Sequence, residues 1–557
     1  MDCLISVDGS VTVSLLKSIF FIINVLFYLN YILKNNIKKM NTEPLNLVNG
    51  KIMTLNESFP IVESLTIKNG QYYSLNNPHP NFKTINLNGA FVIPGFIDAH
   101  FHIKNLGQRL DMVDLKGTKS AEEIENLIYN KSKTLKSGEW IEGFGWDQNL
   151  WNDKNFPSSE LLNKTIQNNP VYLTRIDGHS AWINNVAAKV SNFDLSTNIE
   201  GGSIVNDCIL IDNAMDPIRN SMPKPNKDST KKWLLSGAQY AAERGITNVH
   251  DAWQSPEIIE SIIELVQENN FPIKCYGMIG GSFKDFLVDF FAKGQYSGKQ
   301  YKLRSVKAFI DGALGSRGAA LHEPYHDDHC NCGLILISKE EFDELASLCY
   351  DNNFQLCTHA IGDRGNSFVL DTYQKYLKAQ NDRRWRIEHA QMLTTNDIGR
   401  LKECSIIASM QPSHCTSDMK WMKSRIGEHR LHRISRWKTL LDNGIVIAGG
   451  SDCPIEEGNP LHEFYAAITR TDHDGFPKGG WQSQEKLSRI EALNLFTKGA
   501  AIAEFSENNR GMIEVGYEAD LSILSNDIMT IESEKILKTD VIATIVNGNI
   551  VYGNKNF

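Results

Sequence analysis

An apolar strand that ends in two alternate histidines constrains this chain more than any other feature. Residues 91–97 are apolar, with one proline and one glycine among them, and His100 and His102 follow shortly after. Alternate residues of a β-strand point to the same side, so both imidazoles should project together from the carboxyl end of the strand. Two neighbouring imidazoles form half of a metal site. Taken alone, the pair has a plain alternative, because paired surface histidines are common.

Four more strand-like segments downstream carry residues suited to the same site. They are Lys307 in residues 304–310, His359 at the end of residues 354–359, His389 at the end of residues 385–389, and Asp452 at the end of residues 444–452. A single histidine at a strand end is typically a hydrogen-bonded structural residue. Five such strands in chain order favour one shared site at the carboxyl edge of a parallel sheet.

The pattern between these segments predicts alternating strands and helices. Helical periodicity covers residues 121–136, 231–243, 339–350 and 366–379. Such alternation is typical of βα units with parallel strands, and a length of 557 residues suits a barrel with additions. Both ends of the chain show short β-runs instead. Hairpin turns are predicted at Asn69-Gly70 and Asn547-Gly548.

The motifs together resemble a known family, the amidohydrolase superfamily. The resemblance is closest to its type 3 branch, which includes N-substituted formamide deformylases. It extends from about residue 45 to 552 and rests on residues 94–102, 306–316, 359–363, 386–391, 450–455 and 511–521. It implies an α/β fold, a TIM-type (β/α)8 barrel with a small β-sandwich formed by the N- and C-terminal segments. Residues 1–39 are expected to form an apolar extension. Residues 40–92 and 506–557 are expected to form the two parts of the sandwich, and residues 93–505 the barrel with insertions.

The resemblance also implies a metal site and a catalytic residue. His100, His102 and Asp452 would hold one divalent ion, His359 and His389 a second, and Lys307 would bridge them as a carbamate formed with carbon dioxide. One or two ions, with zinc expected, are implied. Asp452 would also carry a proton to the leaving nitrogen. Alternatives from the residues alone are an ordinary ion pair between Lys307 and Asp311, and a helix cap formed by Asp452.

Substrate contacts are less strongly indicated. His179 is the candidate to polarise the substrate carbonyl or oxyanion. Trp146 and Asp147 lie in a predicted loop that would line the pocket, and Arg317 would meet an anionic group of the substrate. For each of these, loop packing or surface solvation is an equal alternative. Asp98 is expected to orient metal ligands.

These observations favour a metal-dependent hydrolase of non-peptide carbon–nitrogen bonds in a small-molecule amide or N-substituted formamide. The alternatives are a cyclic amidase or aminohydrolase of the same superfamily, and a non-catalytic interaction protein on this scaffold. An interaction protein without catalytic activity is disfavoured, because all the expected metal ligands are present in the sequence. A net charge of -9 gives no reason to expect a nucleic-acid partner.

The amino terminus has two interpretations. Residues 18–33 are strongly apolar, and the segment can be extended past Lys17 to a span of residues 13–33. Lysines follow it, so such a span would anchor the protein to a membrane and keep the catalytic domain cytoplasmic. Alternatively, residues 1–39 are an upstream extension of the gene and Met40 is the natural start. Scattered cysteines suit a reducing, cytoplasmic compartment. Homo-oligomerisation is left open.

Overall fold

The computed structural model describes residues 43–553, and a nearly closed barrel of eight parallel strands forms its centre. Each strand pairs in parallel with the next along the chain. One seam remains, between the first and the last strand of the barrel. Close to it, the amide of Asp452, which follows the last strand, donates to the carbonyl of His100 at 2.7 Å. The predicted TIM-type architecture is confirmed. The strands are β1 Phe96–Phe101, β2 Ile246–Gln254, β3 Lys274–Gly280, β4 Tyr301–Phe309, β5 Gln355–Ala360, β6 Arg386–His389, β7 Ile407–Met410 and β8 Ile447–Gly449.

Helices pack on the outside of the barrel. All residues of β1, β3 and β6 are therefore buried, as is usual when both faces of a parallel sheet are covered. The helices predicted near residues 231–243, 339–350 and 366–379 are all present. The helices of this part of the chain are Ile103–Asp111, Lys227–Glu243, Pro256–Gln267, Lys284–Lys293, Lys339–Asp351, Asp363–Tyr376, Thr395–Glu403, Pro412–Ile426, Trp437–Asp442, Pro460–Thr469, Arg489–Asn494, Ala500–Ala503 and Ser533–Ile536.

Segments from both chain ends form two further sheets that share one apolar core. In the larger sheet, Leu521–Leu524 pairs with Phe91–Pro94, which joins the carboxyl-terminal strands to the amino-terminal ones. The two predicted hairpin turns are present, with positive φ angles at Asn69 and Asn547 and at the glycine after each. In order across each sheet, the strands are Asn549–Gly553, Val541–Val546, Leu521–Leu524, Phe91–Pro94, Lys51–Met53 and Ile61–Val62, and then Gln71–Leu75, Leu65–Lys68, Leu45–Val48 and Lys83–Asn86.

The long connection between β1 and β2 contains a separate six-stranded sheet. Its members lie between residues 113 and 212, and they run partly parallel and partly antiparallel. The predicted helix at residues 121–136 packs here, as Ala121–Ser132. The strands are Val113–Asp114, Ile141–Trp146, Val171–Arg175, Ser180–Ile183, Gly202–Val205 and Ile209–Asp212, and the other helices are Ser159–Thr165, Asn185–Val190 and Asp216–Ser221. We call residues 113–221 the inserted sheet region.

No helix within residues 43–553 is both long enough and apolar enough to cross a membrane. The anchor predicted for residues 13–33 lies outside the described residues.

Candidate metal centre

The two histidines of the first motif lie at the carboxyl end of β1, beside the seam with β8. The Nε2 atom of His100 lies 3.5 Å from Oδ1 of Asp452, and that of His102 lies 3.1 Å from the same oxygen. Asp452 has a φ angle of +57°, so the backbone turns sharply there after the last strand. The closing of the barrel thus brings together residues that are 350 positions apart in the sequence.

His389 completes a cluster with His100 and Asp452. One ligand atom of each residue lies within 4.8 Å of the others, and all three side chains are buried. Imidazole nitrogens and a carboxylate oxygen are donors that divalent transition metals accept, zinc in particular. His389 follows Glu388 at the end of β6, and its φ angle is +71°. This left-handed turn lets two consecutive residues contribute to the centre, which regular strand alternation would not allow.

His359 and Lys307 lie against the same cluster. The ring of His359 is 4.5 Å from that of His389, and Nζ of Lys307 is 3.3 Å from Nε2 of His100. The buried Nε2 atom of His359 has no hydrogen-bond partner in the described part of the chain, as expected of a nitrogen kept for a metal. The structure therefore brings together all six predicted ligands, listed as His100, His102, Lys307, His359, His389 and Asp452.

The alternative interpretation of Lys307 is not supported. Asp311 does not pair with this lysine within the described residues; its carboxylate accepts backbone N–H groups of Ala320, Ile361 and Gly362 at 2.8–2.9 Å. Burial is the main cause that lowers the pKa of Lys307 from its ordinary value. A neutral amine is the form that reacts with carbon dioxide, because only that form has a free electron pair.

His100, His359 and His389 are set to be neutral, as metal ligands must be. Burial, followed by the positive charge of Lys307, lowers the pKa of His100 to about 4 and that of His359 to about 3. Burial also holds the pKa of His389 well below its usual range. For Asp452, burial alone would raise the pKa. The nearby imidazoles outweigh it, so the pKa of this carboxyl lies well below its ordinary value.

Several side chains orient the ligands, and the sequence reasoning missed two of them. Glu388 accepts a hydrogen bond from Nδ1 of His100 at 2.6 Å, and Oε1 of Gln411 lies 2.8 Å from Nδ1 of His389. Each contact leaves Nε2 of the imidazole free to face the centre. Glu388 lies inside the matched motif, and its position two residues after Arg386 on a strand could have revealed it. Asp98 contacts the backbone amide of His100 at 3.0 Å, as expected of an orienting residue.

The sequence reasoning also missed a third residue, His414. It lies in the first turn of the helix Pro412–Ile426, which follows β7. Its ring is nearly parallel to that of His389, with 5.8 Å between the ring centres, and its Nε2 is 3.8 Å from Oδ2 of Asp452. It lies on a helix, so the pattern of residues at strand ends gives no signal for it.

The predicted substrate residues lie elsewhere, and none contacts the metal ligands in the interactions seen within residues 43–553. Trp146 is fully buried in the core of the inserted sheet region, where its Nε1 donates to the carbonyl of Leu173; this packing argues against a role in lining a pocket. Asp147 accepts a hydrogen bond from Arg175 at 2.8 Å.

The other two substrate candidates are more exposed. The His179 side chain is 74% exposed, and its Nδ1 lies 2.8 Å from Asp212. Arg317 forms a two-pronged ion pair with Asp327, at 3.0 and 3.1 Å. Asp327 also accepts from Arg425 at 2.8 Å, so Arg317 is held in a surface ion-pair group and its predicted role toward an anionic substrate group has no support from its contacts.

Comparison with known proteins agrees with this site. The amidohydrolase family model matches residues 83–552. Protein LONG AFTER FAR-RED 3 of Arabidopsis thaliana and the putative amidohydrolase YtcJ of Bacillus subtilis are each 30% identical; the first match covers 91% of both chains, and the second 88% of this chain and 95% of YtcJ. N-substituted formamide deformylase of Arthrobacter pascens is 24% identical over 85% of this chain and 90% of its own.

A solved structure adds the same indication. An uncharacterized metal-dependent hydrolase from Pyrococcus furiosus has a TM-score of 0.74 and 28% identity, and the match covers 87% of this chain and 100% of that one. The family model covers most of the sequence, and the barrel, the seam and the ligand cluster are those expected of such an enzyme. The chain therefore belongs to the amidohydrolase family and is a metal-dependent hydrolase that acts on carbon–nitrogen bonds.

Proposed function

We propose that this enzyme cleaves a non-peptide carbon–nitrogen bond in a small-molecule amide of the N-substituted formamide type. One observation carries the proposal: ligand atoms of His100, His389 and Asp452 lie within 4.8 Å of one another at the mouth of a barrel. The name of the deformylase relative supports the substrate class. The reaction adds water across the carbonyl carbon and releases an amine and a carboxylic acid.

The donor set suits one or two divalent ions, and zinc fits it best. Histidine nitrogens and carboxylate oxygens are common zinc ligands, and zinc keeps an open position in catalytic sites. Bound there, the ion would lower the pKa of a water molecule and polarise the substrate carbonyl. His100, His102 and Asp452 would form one half of the site, and His359 and His389 the other.

Lys307 would join the two halves as a carbamate. Its amine would add to the carbon of carbon dioxide and lose one proton, which yields an anion with two ligand oxygens. A protonated lysine has no acceptor and cannot bind a cation. The buried position of Lys307, 3.3 Å from His100, supports this assignment, as does its lowered pKa.

Asp452 would move the proton that the reaction transfers. One carboxylate oxygen would take it from the attacking water, and Asp452 would then deliver it to the nitrogen of the leaving amine as the carbon–nitrogen bond breaks. Both of its oxygens face the centre, one toward His100 and His102 and the other toward His414. His179 is the candidate from the sequence to polarise the substrate carbonyl, and Asp147 and Arg317 remain proposed contacts for the rest of the substrate.

A metal analysis and a substrate panel test the function. We would load the purified chain with zinc, measure metal per protein, and assay N-formyl amines, N-acyl amines, cyclic amides and an amino-substituted ring compound. Hydrolysis of the open-chain amides is expected, and His100→Ala should lose both metal and activity. The matched control is His432→Ala, a histidine outside the site. Zinc-loaded protein that hydrolyses only the cyclic amides or the ring compound would contradict the proposed substrate class.

A further inference from the structure

His414 places a buried, unpartnered nitrogen beside the metal centre. Within the described residues, its Nε2 atom is buried and has no hydrogen-bond partner. Nearly all buried polar atoms in folded proteins have a partner, because an unpaired one loses its hydration without compensation. A ligand that supplies the missing partner at this place explains why such a nitrogen is kept.

The position of His414 is unlike that of the metal ligands. His100 and His102 face Oδ1 of Asp452, whereas Nε2 of His414 faces Oδ2 at 3.8 Å. Like His102 and His359, His414 lies outside the three-residue cluster of His100, His389 and Asp452, so the oxygen of Asp452 that it faces is what separates it from His100 and His102. Its ring is stacked on that of His389 with an angle of 16° between the planes. Nε2 of His414 therefore borders the metal centre at the oxygen of Asp452 that His100 and His102 do not face.

The side chains around His414 are themselves held by hydrogen bonds. Gln391 and Gln411 line the same small cavity as His414 and His389. Gln411 contacts Nδ1 of His389, and Gln391 donates to Asp418, which lies one helical turn after His414. A donor whose neighbours are already held by hydrogen bonds needs little rearrangement during a reaction, which is the condition for effective electrostatic stabilisation.

We propose that Nε2–H of His414 donates a hydrogen bond to the substrate carbonyl oxygen and stabilises its negative charge in the tetrahedral adduct. This inference rests on the proposed hydrolytic function and specifies its oxyanion contact. As water oxygen bonds to the carbonyl carbon, the π electrons move to the carbonyl oxygen, and His414 donates to that oxygen. When the adduct collapses, the carbon–oxygen double bond forms again, the carbon–nitrogen bond breaks, and the nitrogen receives its proton from Asp452.

The assignment moves this role from His179, the candidate from the sequence. His179 is largely exposed and already paired with Asp212, whereas His414 is mostly buried, with its side chain 15% exposed. A hydrogen bond to an oxyanion is strongest where water is excluded. The two histidines can be compared directly by experiment.

The test uses methylphosphonate, whose tetrahedral phosphorus imitates the adduct of an N-acetyl amine. Its affinity for zinc-loaded protein would be measured by calorimetry in the wild type, His414→Leu, His414→Gln and His179→Leu. We expect His414→Leu to bind the full amount of zinc and to lose about 10–100-fold in methylphosphonate affinity, the effect of one hydrogen bond to a charged group. His414→Gln keeps an N–H donor and should recover part of the loss. His429→Leu, an exposed histidine outside the site, is the control.

Turnover gives a second readout. On an N-acetyl amine, kcat of His414→Leu should fall by about 10²–10³-fold, the usual effect of removing one oxyanion donor. Loss of zinc in both His414 variants would make this residue a metal ligand and overturn the inference. Unchanged methylphosphonate affinity, or a loss seen only in His179→Leu, would also overturn it.

Two further results keep the test decisive. If His414→Leu does not fold, a crystal structure of the wild type with zinc and methylphosphonate decides: a phosphonate oxygen is expected within about 3.2 Å of Nε2 of His414. A structure with no oxygen at that distance would contradict us. The proposed hydrolytic function and the proposed role of His414 can fail separately. If the wild type hydrolyses none of the amides, the proposed function is contradicted. The methylphosphonate affinities test His414 alone, because they need no turnover.

Discussion

Replacing Glu388 by glutamine should weaken both the barrel and the metal site. The side chain is fully buried, and Oε2 contacts Nδ1 of His100 at 2.6 Å and Nη2 of Arg386 at 2.9 Å. Its other oxygen lies 2.7 Å from Nε of Arg386. Burial would raise the pKa of Glu388, but Arg386 and His100 hold it well below its ordinary value, so the carboxylate is ionised at neutral pH. Glutamine keeps the shape and removes the charge.

The loss in unfolding free energy depends on the hydrogen bonds that Arg386 keeps in the variant. Breaking a buried ion pair by removing one partner typically costs about 3–5 kcal/mol of unfolding free energy. Arg386 would still donate to the carbonyl of Ala99 at 2.6 Å and to the hydroxyl of Ser409 at 2.8 Å. These neutral acceptors keep Nη2 hydrogen-bonded but do not offset the charge, and Nε has no hydrogen-bond partner within the described residues. Because part of the guanidinium stays paired, the lower end of this range, about 3 kcal/mol, is expected. Replacing the charged acceptor that orients His100 by a neutral amide should also weaken metal affinity by about 10–100-fold.

The two effects need separate assays. Denaturant unfolding of the metal-free protein measures the first, and zinc competition against a chelator measures the second. Glu532→Gln is the matched control, because Glu532 is 73% exposed and pairs only with exposed Lys535 among its described contacts; a change within about 0.5 kcal/mol is expected there. The reasoning about the buried pair is wrong if Glu388→Gln changes the free energy of unfolding no more than Glu532→Gln does and binds zinc as tightly as the wild type.

Three other predictions concern the ligands. Lys307→Ala should lose metal and activity together, and short-chain carboxylates should restore part of both; a variant that keeps two ions by elemental analysis would exclude the carbamate bridge. Asp452→Asn should keep much of its metal while kcat falls by about 10²–10⁴-fold, and near wild-type turnover would disprove the proton-carrier role. The pKa of His100 lies at about 4 and that of His359 at about 3 when folded, below the ordinary 6.5, so the unfolded state binds more protons. Metal-free protein should therefore have its full histidine contribution to stability above pH about 6.5 and lose it as the pH falls toward 4, by about 1.4 kcal/mol per pH unit for each group; a flat denaturant midpoint over this range would contradict that.

The barrel, and the grouping of the six candidate ligands at one end of it, could be predicted from the sequence because both follow simple periodic rules. Buried parallel strands are continuous apolar runs, and their carboxyl ends meet at one edge. Residues such as His359 and Asp452, placed at the ends of such runs, therefore had to lie near one another once the strands paired in order. The paired hairpin signals at Asn69 and Asn547 likewise predicted strands at both chain ends.

The inserted sheet region could not be predicted in the same way. Its strands alternate with short helices, much as barrel units do, so local pattern does not separate a barrel strand from a strand of a second sheet. A barrel strand and a strand of the inserted sheet region differ in the strands with which they pair, and the local sequence pattern does not give these pairings. Trp146 shows the consequence. A tryptophan near the end of a strand fits an active-site loop, but here it fills the core of the inserted sheet region.

The remaining site residues depend on departures from regular geometry. On β6, alternation places Arg386 and Glu388 on the same side, and it would send His389 to the other. The left-handed backbone at His389 lets both neighbours face the centre, His389 as a candidate ligand and Glu388 as the group that contacts His100. A positive φ angle in a residue other than glycine costs free energy and persists where surrounding contacts require it. The same backbone feature occurs at Asp452, on the other side of the centre. Strained backbone at these two candidate ligands, close to a buried ion pair and to the unpartnered nitrogen of His414, is the pattern expected of a site that keeps its geometry at some expense of stability.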